Sequence, residues 1–233
     1  MVGLDLTRDK HTSQFEINFK NRYAFYEADI TSEVSLRKAL VFTQQMFGQP
    51  TVLINNAALD SPPNSSSSEN GPFENYPKKS WDKILEVNIT GTYLPCQIFG
   101  SAMAKNRNGS IVNVSSIYGL VSPDQKIYNY RRERGEVFYK PVAYSATKSA
   151  ILNLTRYLAV YWADKGVRVN TLVIAGVENN QDEAFLKAYN SRIPIGRMAN
   201  EAEYNGTIIY LASKASSYMT GSQLVVDGGW TAI

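Results

Sequence analysis

The chain has 233 residues, of which 44% are apolar and 19% charged, with a formal charge of +3. That composition supplies a core and argues against disorder for most of the chain, while the small charge argues against a dedicated nucleic-acid surface without excluding a local basic patch, such as 126–140. The lone cysteine, Cys96, excludes an intrachain disulfide, suits a reducing compartment and reads as a small buried apolar residue.

The opening residues MVGLDLTRDK contain no apolar segment of the signal-peptide kind. No run approaches the ~20 apolar residues that span a bilayer. The expectation is a cytoplasmic protein with no membrane partner.

In chain order, apolar β-type runs alternate with helical patterns. Residues 23–28 read as a short strand, and 33–47 as an amphipathic helix with Val34, Leu36, Leu40, Val41 and Phe47 in an approximate stripe. Gly48-Gln49-Pro50 punctuates the step to a buried strand at 51–54. A long helix over 80–105 ends before Asn108-Gly109, and a strand follows at 110–114. Residues 142–165 form a second long helix, with Gly166 as its C-cap. A strand at 167–174, a helix at 201–212 and a strand at 223–226 complete the series. Such repeated units with continuously apolar strands predict one α/β domain over 1–233, a parallel sheet covered by helices on both faces.

Two segments interrupt the pattern. Residues 60–77 hold Pro62-Pro63, the serine run 65–68 and Asn70-Gly71, and read as a loop. Residues 122–141 carry Lys126, Arg131, Arg132, Arg134 and Lys140 interleaved with Tyr128, Tyr130 and Tyr139. Both follow strand carboxyl ends, where open α/β sheets bind ligands. They read either as solvated surface loops or as a substrate lid. His11, the only histidine, lies in a polar stretch and reads as exposed, so no metal site is expected.

The chemistry concentrates in a few short motifs. Tyr144-Ser-Ala-Thr-Lys148 opens the second long helix, and four residues make about one turn, so phenol and ammonium share a face. A phenol with an ordinary pKa of about 10 is a poor base near neutrality. A neighbouring cation favours phenolate and moves the group towards general acid–base work. Such pairs are common on helix surfaces, so context decides. Ser115-Ser116 closes the 110–114 strand and Asn55-Asn56-Ala57-Ala58 closes the one before it. Asn88 lies inside the first long helix, where a buried amide needs a partner.

Taken together, Asn55-Asn56-Ala57, Asn88, Ser116 and Tyr144-x-x-x-Lys148 resemble the classical short-chain dehydrogenase/reductases. The likeness runs from Asp5 to Leu224-Val-Val-Asp-Gly-Gly-Trp230. It implies a Rossmann-type doubly wound parallel sheet and a catalytic tetrad of Asn88, Ser116, Tyr144 and Lys148. In that scheme Tyr144 exchanges a proton with the substrate oxygen and Ser116 hydrogen-bonds the same oxygen. Lys148 holds the nicotinamide ribose and lowers the Tyr144 pKa, and Asn88 holds a water that relays protons. Ser116 is preferred to Ser115 because it directly precedes Ile117-Tyr118-Gly119. The hydride belongs to NAD(P), and the implied cofactor contacts are Asp5, Asp29, Ile30, Asn56, Ala57, Tyr144, Lys148, Gly176 and Val177. The family also implies a homo-oligomer, tetramer or dimer, built through the helices that contain Asn88 and Tyr144.

A narrower likeness comes from the segment 116–125, the basic insert and Val177-Glu-Asn-Asn-Gln. These are similar to oxidoreductases of flagellin-modification and nonulosonic-acid sugar pathways, which implies a sugar or nucleotide-sugar substrate. Arginine forks in the insert would suit its phosphate oxygens.

The sequence departs from the family pattern twice. The family's opening strand, glycine-rich turn and helix, whose backbone N–H groups bind pyrophosphate, find no match here. Val2-Gly3-Leu4-Asp5 instead resembles the end of the second strand, whose acid binds the adenosine ribose about 20 residues after the glycines. The chain therefore reads as N-terminally truncated, lacking the first strand and glycine-rich turn. In the sheet order 3-2-1-4-5-6 that strand is central, so the expectation is a gap and a weakly held 1–47 segment. Asp5 would favour NAD over NADP by repelling a 2′-phosphate. Secondly, Val173-Ile174-Ala175-Gly176 lacks the family's Pro-Gly turn, which leaves it less pre-set. Two readings stand: an oxidoreductase of sugar-type alcohols or ketones, or a truncated homologue without catalysis that acts as an oligomer partner.

Overall fold

The computed structural model describes residues 1–60 and 69–233. Residues 61–68, with Pro62-Pro63 and the serine run, lie outside the described residues, as does the side chain of His11 with its expected exposure. The elements are β1 (Val2–Asp5), α1 (Lys10–Asn18), β2 (Ala24–Glu27), α2 (Glu33–Phe47) and β3 (Val52–Asn55). Next come α3 (Lys78–Leu85), α4 (Gly91–Pro95), α5 (Ser101–Lys105), β4 (Gly109–Ser116) and α6 (Asn129–Glu133). The series closes with α7 (Val142–Trp162), β5 (Val167–Ile174), α8 (Glu183–Asn190), α9 (Asn205–Ala212) and β6 (Gln223–Val226).

Local chemistry explains most boundaries. The side chain of Ser32 caps α2 by accepting from Ser35 N–H, and Gly48 takes φ +80° to leave it. The helix expected over 80–105 begins at Lys78 and runs through α3, α4 and α5. It widens into π-turns at Glu86–Thr90 and Cys96–Gly100, on either side of α4 with Pro95 at its end. Proline supplies no N–H and its ring displaces the preceding carbonyl, so a regular ladder cannot continue there. Helix α7 ends in a 3₁₀ turn, and Gly166 leaves it in the left-handed conformation at φ +68°.

All six strands pair in parallel, but they form two sheets. β1 pairs with β2, and β3, β4, β5 and β6 follow one another in a second sheet. This division falls where the sequence predicts a gap. The expectation of a weakly held 1–47 segment needs refinement, because hydrophobic contact spans the division. Leu4, Tyr26, Leu36 and Ala39 join Ile98, Phe99 and Leu53 in one cluster. On the β3 flank Val52 and Ile54 stay exposed, while every residue of β4 is buried.

Helices cover both faces of the larger sheet. On one side Cys96, Met103, Leu158 and Trp162 pack onto Ile111, Val167 and Val169. On the other Leu211 of α9 meets Val112 and Leu172. Cys96 is buried, as expected, and burial pushes its thiol up to about 12, against side-chain interactions with Asn55, which donates to the sulfur, and with Asn113. The strand carboxyl ends align at Ser116, Ile174 and Val226. A third cluster, with Ile117, Tyr118, Tyr128, Tyr189 and Met198, closes over that edge. Among the described residues no helix is long and apolar enough to cross a membrane.

Candidate active site

Ser116, Tyr144 and Lys148 meet at the carboxyl edge of the larger sheet. Ser116 is the last residue of β4, and its Oγ accepts from Tyr118 N–H at 3.2 Å, which fixes the turn that follows. Its hydroxyl lies close enough to the Tyr144 phenol to favour the phenolate. Ser115 points the other way and donates to the Lys148 carbonyl at 2.7 Å. Gly119 makes that close docking possible, since an added Cβ would lie 2.6 Å from the Lys148 carbonyl oxygen and 2.7 Å from Ser115 Oγ.

Lys148 is 4% exposed, and its Nζ donates to the Val114 carbonyl at 2.9 Å. The same ammonium stands 5.7 Å from the Tyr144 ring centroid. Burial lowers the lysine from 10.5 to about 8, with Asp60 acting in the opposite sense. Burial likewise raises Tyr144 to about 12, Asp60 adds to the rise, and the Ser116 hydroxyl opposes it. The expected lowering of Tyr144 by Lys148 is thus not what this structure shows. Desolvation dominates, because both groups are withdrawn from water and the ammonium is directed at a backbone carbonyl.

Asn88 occupies a different role from the expected one. It is 0% exposed, its Oδ1 accepts from Leu59 N–H at 2.7 Å, and its Nδ2 donates to the Leu59 carbonyl and to Thr147 Oγ1, both at 2.9 Å. Both amide protons are used by protein, so the side chain has no proton left for a relay water. It clamps the segment after β3 onto α7, one residue from Lys148. The sequence flagged the residue as needing partners, and they are the Leu59 backbone and the Thr147 hydroxyl.

The other expected cofactor contacts spread along the strand carboxyl ends. Asp5 ends β1 exposed and caps Leu6 N–H at 2.7 Å; Asn56 and Ala57 lie exposed after β3. Asp29 accepts from Thr31 N–H at 2.8 Å and Thr31 Oγ1 at 2.7 Å, which hold its carboxyl below the usual range. Ile30 packs on Gly91, where an added Cβ would meet Ile30 Cδ1 at 2.5 Å. Gly176 N–H donates to the Tyr189 hydroxyl at 2.9 Å, and Val177 bridges to Ala199. Without the proline of the related turn, this tyrosine and bridge fix the backbone instead.

This edge fits a dinucleotide at its two ends. Lys148 carries three ammonium donors and gives one to Val114, which leaves donors for ligand hydroxyls. The Asp5 carboxylate faces solvent at the far end. Among the described residues between β1 and β3, no glycine-rich turn leads from a strand into a helix to supply the anion site of a pyrophosphate.

The basic insert is more ordered than a loop, with a 3₁₀ turn at Gln125–Tyr128 and the short helix α6. Its arginines pair within the insert or with the start of α8. Arg131 pairs with Glu136 and lies 4.1 Å over the Phe138 ring. Arg132 donates to the carbonyls of Gln125 and Phe138, at 2.6 Å and 2.8 Å, and to Asn129. Arg134 pairs with Asp182 at 2.7 Å. Lys140 instead reaches Asp60 and Tyr144.

Beside Lys140 lies a cavity of 280 Å³ lined in part by Tyr76, Ser122, Gln125 and Ser145. The Tyr76 hydroxyl and Ser145 Oγ are buried there without a hydrogen-bond partner among the described residues. Sequence reading missed both, along with Asp60 and the inward turn of Lys140, because each depends on how the insert folds back. Among the described residues no group of acidic, cysteine or histidine side chains could hold a metal.

A parallel α/β domain that gathers a serine, a tyrosine and a lysine at the carboxyl ends of its strands places them where open α/β sheets bind ligands. Comparison with known proteins is more specific. The family described as "Enoyl-(Acyl carrier protein) reductase" matches residues 1–231. A 2,5-dichloro-2,5-cyclohexadiene-1,4-diol dehydrogenase of Sphingobium indicum is 30% identical over 211 residues, covering 89% of this chain and 75% of that one. A D-threitol dehydrogenase of Mycolicibacterium smegmatis is also 30% identical, covering 88% and 72%. A short-chain dehydrogenase of Leptospira borgpetersenii, solved with bound NAD⁺, superposes with a TM-score of 0.83 at 30% identity, over 99% of this chain and 82% of that one. The chain belongs to the short-chain dehydrogenase/reductase family.

Proposed function

We propose that the protein is an NAD-dependent oxidoreductase that interconverts an alcohol and a ketone on a sugar-type substrate, with residues 1–233 acting as one domain. One observation carries the reading: the half-buried Tyr144 ring stands 5.7 Å from the buried Lys148 ammonium, beside Ser116 at the end of β4. A bound nicotinamide would supply the acceptor or donor of the hydride. Tyr144 takes or gives the proton at the substrate oxygen, and Ser116 hydrogen-bonds that oxygen as its charge changes. Lys148 holds ribose hydroxyls with the donors not given to Val114. Asn88 keeps the segment that contains Asn56 and Ala57 in place through Leu59. The exposed Asp5 carboxylate supports NAD over NADP.

The substrate class follows from the cavity beside Lys140. The Tyr76 and Ser145 hydroxyls, without partners among the described residues, suit a ligand rich in hydroxyl groups. A sugar or polyol supplies those. A nucleotide-sugar remains within the proposal, but the arginines of the insert do not favour it, since they are engaged in the protein.

A homo-oligomer, tetramer or dimer, is supported by the outer face of α4 and α7. Tyr93, Tyr157, Val160 and Tyr161 are exposed there, Val160 at 81%, beside an aromatic-lined groove. Light scattering should give a mass of at least two chains, and Val160→Glu should reduce it.

The decisive experiment is isothermal titration of NAD and NADP, oxidised and reduced, followed by a screen of polyols and sugars with NAD. Saturable NAD binding with turnover lost in Tyr144→Phe supports the reading. Absence of binding by all four nucleotides refutes it and leaves the non-catalytic oligomer partner as the better account.

A further inference from the structure

Lys140 enters the site from the insert, held at its own backbone. Its N–H donates to Gln125 Oε1 at 2.8 Å and its carbonyl accepts from Gln125 Nε2 at 3.2 Å. From that anchor the side chain, 13% exposed, places Nζ 2.5 Å from Asp60 Oδ2. The ammonium also stands 4.9 Å from the Tyr144 ring centroid and 5.7 Å from that of Tyr118. The Tyr144 ring therefore has two ammonium groups near it, Lys140 and Lys148, and a carboxylate tied to one of them.

We propose that the Asp60–Lys140 ion pair sets the proton affinity of Tyr144, with both members acting as positioning residues for the proton that the phenol carries. The proposal rests on the reading of Tyr144 as the proton-exchanging group. The remaining titratable groups around Tyr144 are tyrosines: Tyr118 after β4, Tyr128 in the insert and Tyr189 on α8. Burial raises all three, so they are neutral near physiological pH. Ser116 contributes a hydroxyl dipole. The sign of the local field is then decided by Lys148, Lys140 and Asp60. Lys148 donates to the Val114 carbonyl and stands 5.7 Å from the Tyr144 ring centroid. Asp60 acts on Tyr144, Lys148, Tyr118 and Tyr128 together, raising each. Lys140 is the cation close enough to neutralise it. Lys140 is largely buried while Asp60 is about half exposed, so solvent screens part of the carboxylate's field at the phenol.

The pair thus works as a counterweight. With Lys140 seated on Asp60, phenolate is disfavoured less than the carboxylate alone would dictate. Loss of Lys140 bares the carboxylate to the phenol, and loss of the carboxylate removes the negative charge that raises it. The two changes must move the phenol in opposite directions.

The test uses the full chain with a fluorinated tyrosine incorporated at position 144, which brings the phenol into a pH range where the fold persists and lets ¹⁹F NMR report its titration. Asp60→Asn should lower the midpoint and Lys140→Met should raise it, each by about 1 unit. Lys140→Arg should restore the original value, and the Asp60→Asn/Lys140→Met double variant should fall between the single variants. Circular dichroism of each variant controls for folding. Midpoints that stay within about 0.3 unit of the parent in both single variants, or that move in the same direction, overturn the proposal. Because the readout needs neither cofactor nor turnover, failure of the oxidoreductase reading would show separately, as absent nucleotide binding with the shifts intact.

Discussion

Lys148→Met should make the protein more stable at pH 7 while abolishing nucleotide binding. The wild-type ammonium is almost wholly buried, with one acceptor in the protein, and burial brings it from 10.5 to about 8. At pH 7 the charged form still prevails, so the fold carries a desolvation cost of about 3 kcal/mol from this shift. Methionine fills similar space without charge. It loses the bond to the Val114 carbonyl, which offsets about 1.5–3 kcal/mol. The expected net gain is about 1 kcal/mol.

The pH dependence is the sharper test. Between about 8 and 10.5 the unfolded chain still holds the lysine proton while the folded chain has released it. The unfolded state then binds more protons, so wild-type stability rises with pH across that window. Buried tyrosines act in the opposite sense above their ordinary value of 10, because folding raises Tyr144 and Tyr189 to about 12. Both proteins share most of that loss, so it largely cancels in their difference. Urea denaturation of both proteins at pH 7, 8, 9 and 10 should show the variant's advantage vanish and then reverse as pH rises. A pH-independent difference, or a variant already less stable at pH 7, would show that Lys148 is not held against its charge.

Asn88→Ala should lower stability by about 2–4 kcal/mol, because it strands the Leu59 backbone groups. Differential scanning calorimetry should show that as a fall in Tm of about 5–15 °C. Gly119→Ala should cost about 1–3 kcal/mol by forcing the 117–119 turn away from Lys148. Chemical denaturation gives the number, and no loss would mean that the turn yields without strain. Hydrogen exchange should be slowest in β4 and β5, which are buried and paired, and faster in β1 and β2, which have only each other. Equal protection throughout would refute that ranking.

The strands and long helices were legible because each carries its signal within itself. β5 and β6 follow from apolar runs, and α2 lies between a serine cap and a glycine stop. Helix α1 was missed because Lys10–Asn18 has no apolar stripe; its Phe15 and Ile17 are exposed, and its start depends on an Asp9 cap. Helix α8 did leave a trace, an aspartate at 182 followed by Phe185, Leu186 and Tyr189 at helical spacing. The site divides in the same way. Tyr144 and Lys148 could be placed together from one turn of helix, and Ser116 from the end of its strand. Their proton affinities could not, since spacing suggests attraction between charges while the folded site is governed by desolvation. The role of the insert was equally hidden. Five basic residues read alike in sequence, yet three hold the insert together or to α8, and Lys140 turns to Asp60.

The two sheets assign the work of the site to different parts of the molecule. Ser116, Tyr144 and Lys148 stand on the larger sheet and α7, whose core is continuous from Cys96 to Val169. Asp5 and Asp29 belong to β1, β2 and the turn after them, which reach the rest through apolar contacts around Ile98, Phe99 and Leu53 and through Ile30 against Gly91. Those contacts set a distance but carry no strand ladder across the division. On the proposed reading, a dinucleotide reaching from Asp5 to Lys148 would touch both parts and favour the state in which they are aligned, in proportion to the logarithm of ligand concentration over Kd. The same ligand would supply acceptors to the Lys148 ammonium, which the protein alone partners at one carbonyl. The feature that weakens the free protein and the feature that recognises the cofactor are then one side chain, so a substitution that cures the first should remove the second.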